Sequence, residues 1–232
     1  MDNINKVKNT KTFLYGFSII IFPILLFIGF FMHPDITNFK IMSTAQELAK
    51  NFRHNNFWHI GHLIVTLAIP FIIFVFICFM ENLKGKGIWF GLVGGVIGIF
   101  GSVILALDKG SLCLVLSAFD TLKDDKFKEL IPFLQVIVDR DGLLRITQLL
   151  PLLPLGAIIQ TLGLLREKMV NTWQGLVTIL GLLLLNNPDI EIISIIGAAF
   201  MIIGYFPLGF KLMIKAVKIH RVPHTQDILS TL

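Results

Sequence analysis

His59 and His62 stand three residues apart at the opening of a long apolar run, 57–80. Three helical residues turn through about 300° and rise about 4.5 Å, so both imidazoles project from one helix face. Thr66 continues that face one turn deeper. Neutral imidazole is the commonest biological metal ligand, and its ordinary pKa allows binding near neutral pH. His33 follows an earlier apolar run, 13–32. His54 precedes His59, and Asp108 follows a third run, 88–107. If these runs cross a bilayer in alternation, His33, His54, His59, His62 and Asp108 meet at one membrane face.

Two chemistries suit such a cluster. The first is a bound heme or transition metal. One heme iron takes axial ligands on opposite faces, so His59 and His62 cannot both serve it. One of them would pair with His33 or His54, with Arg140 or Arg145 meeting the propionates. A mononuclear metal would take His59, His62 and Asp108 together. No Cys-x-x-Cys-His or His-Glu-x-x-His motif accompanies them. The second chemistry is transport. Pro151 and Pro154 lack an N–H and deprive the carbonyls of Thr147 and Leu150 of helical partners, and Pro70 does so for Thr66. Unpaired carbonyls and ionisable side chains within a bilayer are the parts of permeation sites. Against this, the deep polar residues are few: Gln160, Thr178 and Tyr205. Zinc-dependent hydrolysis ranks last, because no nucleophile or general base beyond Asp108 is evident. A structural role competes with all three, since rings at a membrane edge also hydrogen-bond headgroups and loops.

The elements that must position these residues follow from composition. The 232 residues are 55% hydrophobic and only 15% charged, with a mean hydropathy of +0.79. Soluble domains carry about 25% charged residues. The apolar residues fall in blocks of the length a helix needs to cross about 30 Å of hydrocarbon. The expected fold is an all-α, polytopic membrane helix bundle with six transmembrane spans near 13–32, 57–80, 88–107, 143–165, 170–185 and 191–213. An outer-face segment, 108–142, is either a cap containing an amphipathic helix at 127–138 or a continuation of span three past Leu107. A basic tail, 214–232, follows the sixth span. Its His220 and His224 read as solvated.

Six spans place both termini on one side, with 1–12 as the N-terminal arm. That side then holds eleven Lys and Arg against four acidic residues, and the other holds nine against eleven. The positive-inside rule makes the first side cytoplasmic, in a cell membrane. The lipid bilayer is the expected partner, a homo-oligomer is compatible, and nothing points to nucleic acid. Gly91/Gly95 and Gly94/Gly98 lie at a spacing that lets helices approach closely in lipid. Cys78 and Cys113 fall at opposite ends of neighbouring spans, so no disulfide is expected. The turn at Asn186-Asn187-Pro188-Asp189 carries no basic residue.

His33-Pro34, the Trp58-His59/His62 opening, the Gly-rich third span and Asp108 resemble a group of uncharacterised bacterial six-helix membrane proteins. Size, layout and exposed histidines are also similar to those of small heme-sensing membrane proteins of Gram-positive bacteria. The likeness covers roughly residues 13–120. It implies a bacterial plasma-membrane location and heme as the ligand, and it assigns no catalytic residue.

Overall fold

The computed structural model describes residues 2–34, 36–37, 39, 42–186 and 190–220. The Asn187-Pro188-Asp189 turn and the tail beyond His220, including His224, lie outside the described residues. Among the described residues nine α-helices are formed: α1 (Asp2–Phe31), α2 (Ala45–Phe52), α3 (Asn56–Asn82), α4 (Ile88–Leu105), α5 (Cys113–Phe119), α6 (Asp124–Val138), α7 (Leu152–Arg166), α8 (Thr172–Leu184) and α9 (Glu191–His220). There is no strand among the described residues.

Among the described residues, five helical stretches are long and apolar enough to cross a membrane: Ile4–Phe31, Asn56–Asn82, Gly85–Phe119, Gly142–Arg166 and Glu191–Lys218. Only 39–50% of each apolar window is buried inside the protein. Exposed apolar side chains such as Leu67, Trp89, Val96, Leu176 and Ile203 cover the outward faces. A helix that is apolar all round, yet buried on only one side, needs a hydrocarbon surrounding. The fifth expected span, 170–185, forms a shorter helix than those bounds would make. The helix there has 13 residues, about 20 Å at 1.5 Å per residue.

The long helices pack in chain order around one core. α1 lies against α3, α3 against α4, α4 against α7, α7 against α8, α8 against α9, and α9 closes on α1. Close approaches are made by small residues. A Cβ on Gly94 would lie 2.7 Å from the Gly156 carbonyl oxygen, which brings α4 onto α7. A Cβ on Gly61 would lie 2.7 Å from the Gly29 carbonyl oxygen, which brings α3 onto α1 just below the histidines. Without a solvent-exclusion drive between helices, such backbone contact is a main source of cohesion in lipid. Gln160 adds a polar clamp. Its Nε2 donates to the carbonyls of Phe76 at 3.1 Å and Gly91 at 2.9 Å, tying α7 to α3 and α4. Tyr205 and Thr161 hydrogen-bond at 3.0 Å and tie α9 to α7. Gln160 and Tyr205, two of the deep polar residues, therefore serve helix packing.

Residues 108–142 combine both expected arrangements. The third span does not stop at Leu107 but runs on to Phe119 through a π-helical segment, Ala106–Leu112. The widened turns absorb Asp108-Lys109-Gly110 without ending the helix, a local device frequent at functional sites. α6 then returns over this end and packs on α2, where Gln135 Oε1 accepts from the Ala45 amide at 2.8 Å. Ala45, Leu48, Phe52, Trp58, Phe127 and Leu134 form a second, small core beneath this cap. α2 is started by Thr44, whose hydroxyl accepts from the Glu47 amide, while Glu47 accepts from the Thr44 amide.

The proline-freed carbonyls of span four are mostly paired. The Leu150 amide donates to Thr147 O at 3.1 Å, and the Leu153 amide to Leu150 O at 3.0 Å. The 3₁₀ segment Gly142–Leu149 makes this correction to the expected free acceptors: its tighter turn replaces i→i−4 bonds with i→i−3 bonds.

Candidate functional site

Antiparallel packing brings the end of α1, the starts of α3 and α9, and the π segment to one end of the bundle. The histidines collect there, but in two groups. Asn55 sets the register of α3 by accepting from the Trp58 amide at 3.2 Å. The ring of Trp58 packs against both neighbouring imidazoles. It lies 5.2 Å from His59, nearly perpendicular, and 3.9 Å from His62.

The inner group contains His33 and His62. Their rings stack at 4.6 Å with an 18° interplanar angle. His62 is buried, and its Nδ1–H donates to Trp58 O at 2.9 Å. His33 Nδ1 lies 2.6 Å from Glu191 Oε1, and the two side chains are 10% and 22% exposed. This contact joins the end of α1 to the first turn of α9. Beside it on the π segment, Lys109 Nζ lies 3.4 Å from Asp108 Oδ2. The Asp108 side chain is buried and that of Lys109 nearly so. Lys109 also lines an apolar cleft formed by Leu26, Phe30, Leu105, Leu150 and Asn186.

The outer group is organised by Asp120, at the end of α5. Its Oδ2 lies 3.1 Å from His59 Nε2, and its Oδ1 accepts from the His54 amide at 2.9 Å. Arg53 bridges Asp120 Oδ1 at 3.3 Å and Asp124 Oδ1 at 2.9 Å. Its guanidinium covers the Phe127 ring at 4.3 Å. Burial pushes the Asp120 carboxyl upward, but the His54 amide, His59 and Arg53 together hold it below the usual carboxylate range. Arg53 also holds the exposed Asp124 carboxyl low. The His54 ring is largely exposed, 4.0 Å from Asp120 and 3.9 Å from Asp124. Its backbone has φ 55°, a left-handed turn that swings the chain from α2 into α3.

The sequence-derived sites are thus only partly assembled. His33 and His62 meet, and His54 and His59 share a carboxylate. His59, His62 and Asp108 do not form a metal site: among the described residues no three His, Cys, Asp or Glu side chains are placed to hold an ion. The reason is rotational. Although one helix face carries both His59 and His62, the first turns to Asp120 and the second to His33. A heme between His33 and His62 does not fit either, because stacked rings at 4.6 Å leave no room for a macrocycle. Arg145 is exposed, and among the described residues no hydrogen bond or ion pair joins it to a histidine. One feature does match a metal-ligating imidazole. His59 Nε2 is oriented by a carboxylate, and its Nδ1 is buried with no hydrogen-bond partner. Ligating histidines are commonly held this way through the other ring nitrogen.

Glu191, Lys109, Asp120 and Arg53 complete the site and were not among its expected members. A signal for Glu191 was available: it is a lone carboxylate in the first turn of a long apolar helix, where ionisable groups are rare and functional. Asp120 sits among loop charges and offers no such contrast. Comparisons with protein-family models, curated proteins and solved structures find no match for this chain.

Proposed function

We propose that this chain is a small transporter- or permease-like membrane component that crosses the bilayer six times, with both termini cytoplasmic. Its histidine end captures a charged solute or proton from the outer side. α8 makes the short crossing, which a local thinning of the bilayer accommodates at modest cost. The orientation rests on the excess of Lys and Arg on the termini side. The observation that carries the functional reading is the His33–Glu191 pair beside Asp108–Lys109. Four ionisable groups from three segments sit mostly buried at the rim of an apolar bundle. Such groups are costly in a membrane and typically serve ion or proton handling. Protonation of Glu191 would loosen the contact between the first and last long helices, so occupancy and helix position are coupled.

The test is a current measurement on reconstituted protein adsorbed to a solid-supported membrane. A panel of small cations, anions and zwitterions is applied at one pH. At least one solute should evoke a current that Glu191→Gln removes and His54→Ala preserves. A panel giving no more current than protein-free vesicles would contradict transport.

The orphaned Nδ1 of His59 favours a second reading, binding of heme or a transition metal, which the resemblance also implies. A single imidazole ligand then comes from His59. Added hemin should produce a Soret band that His59→Ala shifts and His62→Ala leaves unchanged. Identical spectra for all three proteins would remove this reading.

A further inference from the structure

At the opposite end of the bundle, a groove of about 470 Å³ opens between the first turns of α1 and the flank of α3. Its rim carries Lys6, Thr10 and Lys11, and its wall is Val7, Leu14 and Phe74. We propose that this groove is a binding site for one anionic phospholipid, with the phosphate at Lys6 and Lys11 and an acyl chain along Val7, Leu14 and Phe74. The inference rests on the membrane reading of the long helices but not on the role of the histidine end.

Three observations support that occupant. First, the rim and the wall differ in chemistry along one axis. Lys6 and Lys11 precede the apolar stretch that begins at Phe13. At 1.5 Å per residue they lie within about 10 Å of its start, comparable to the depth of a headgroup layer. Second, the wall is apolar and uncovered. Val7 is 68% exposed, Leu14 44% and Phe74 45%. A soluble anion would leave that surface bare, whereas a lipid covers it. Third, Lys11 is fixed in place. Its Nζ donates to Glu81 Oε1 at 2.7 Å, and Tyr15 donates to Glu81 Oε2 at 2.9 Å. One carboxylate thus orients the ammonium. Lys6 and Lys11 against Glu81 leave the rim net positive.

The full-length protein in detergent is mixed with phosphatidylglycerol or phosphatidylcholine, and bound lipids are counted by native mass spectrometry. One phosphatidylglycerol should be retained in preference to phosphatidylcholine. Lys6→Gln should weaken it about fivefold, as expected for one basic residue near an anionic headgroup. Lys6→Gln with Lys11→Gln should weaken it further. The control is Lys84→Gln with Lys86→Gln, which removes the same charge from the same end but outside the groove, and it should leave retention unchanged. Leu14→Trp, which fills the wall, should reduce retention without altering charge. Equal retention of the two lipids would overturn the proposal, as would an equal loss in the Lys84/Lys86 control. So would displacement by millimolar inorganic phosphate, because the wall would then contribute nothing.

Discussion

Glu191 and Asp120 each bind an imidazole, yet their surroundings give them different consequences. The His33–Glu191 contact is mostly enclosed, and removing one partner of an enclosed ion pair leaves the other uncompensated, at a cost of about 3 kcal/mol. Glu191→Gln should therefore lower unfolding stability in mixed micelles by about that amount, whereas His54→Ala, on a largely exposed ring, should change it little. Asp120 titrates at the rim. Its carboxyl is held below its ordinary value, so its stabilising contribution is present above the unfolded carboxylate pKa of about 3.9. That contribution is lost as the pH falls through the lower, folded value. Trp58 fluorescence should report loosening of the α2–α6 cap below about pH 4. Asp120→Asn should begin less stable at pH 7 and lack that acid transition. Asp120→Asn retaining both the neutral-pH stability and the acid transition of the parent would show that another carboxylate is responsible. At this scale the imidazoles were legible in the sequence, because two helix ends and one helix start were expected at the same face. Their partners were not. Glu191 meets His33 only because α9 closes on α1, and no local pattern encodes that closure.

At the scale of elements, the long helices were legible from length and hydropathy alone. Two outcomes have physical causes. Span three was expected to end at Leu107 or to run on past it; a π segment carries Asp108-Lys109-Gly110 within the helix, and α5 continues to Phe119. The 13-residue α8 is shorter than its apolar run, since Thr172 begins the helix after an Asn171–Gln174 capping box and the chain turns at Leu185 and Asn186. The glycine spacing in α4 was read as a close-packing face, and it meets two partners: Gly91 and Gly95 face Leu83 and Met80 at the end of α3, and Gly94 faces α7. Gly94 approaches Gly156 and Gln160 across that face. Gly94→Leu should force the two helices apart and cost at least 1–3 kcal/mol, the range for overpacking a tight contact. A variant with unchanged thermal stability would show that α4 and α7 are not held by this approach.

At the scale of the whole molecule, a ring of helices has one basic end and one histidine end. Lys84 and Lys86 lie at the first, and Thr121 and Asp125 at the second. Single cysteines at Lys86 and Thr121, in a background with Cys78 and Cys113 replaced by Ala, should react with a membrane-impermeant maleimide from opposite sides of the vesicle. Reaction of both from one side would refute the topology. The first and last long helices pack against each other through Gly16 and Gly209 and through Phe22 and Tyr205, and at the histidine end the His33–Glu191 pair joins them as well.

That joint is tested most directly by exchanging its two partners. His33→Glu and Glu191→His should each lower stability and abolish solute-evoked current. The double exchange should restore at least half of the lost stability and a measurable current, since the pair is re-formed in reverse. Losses that simply add in the double variant, with no recovery of either property, would contradict the account.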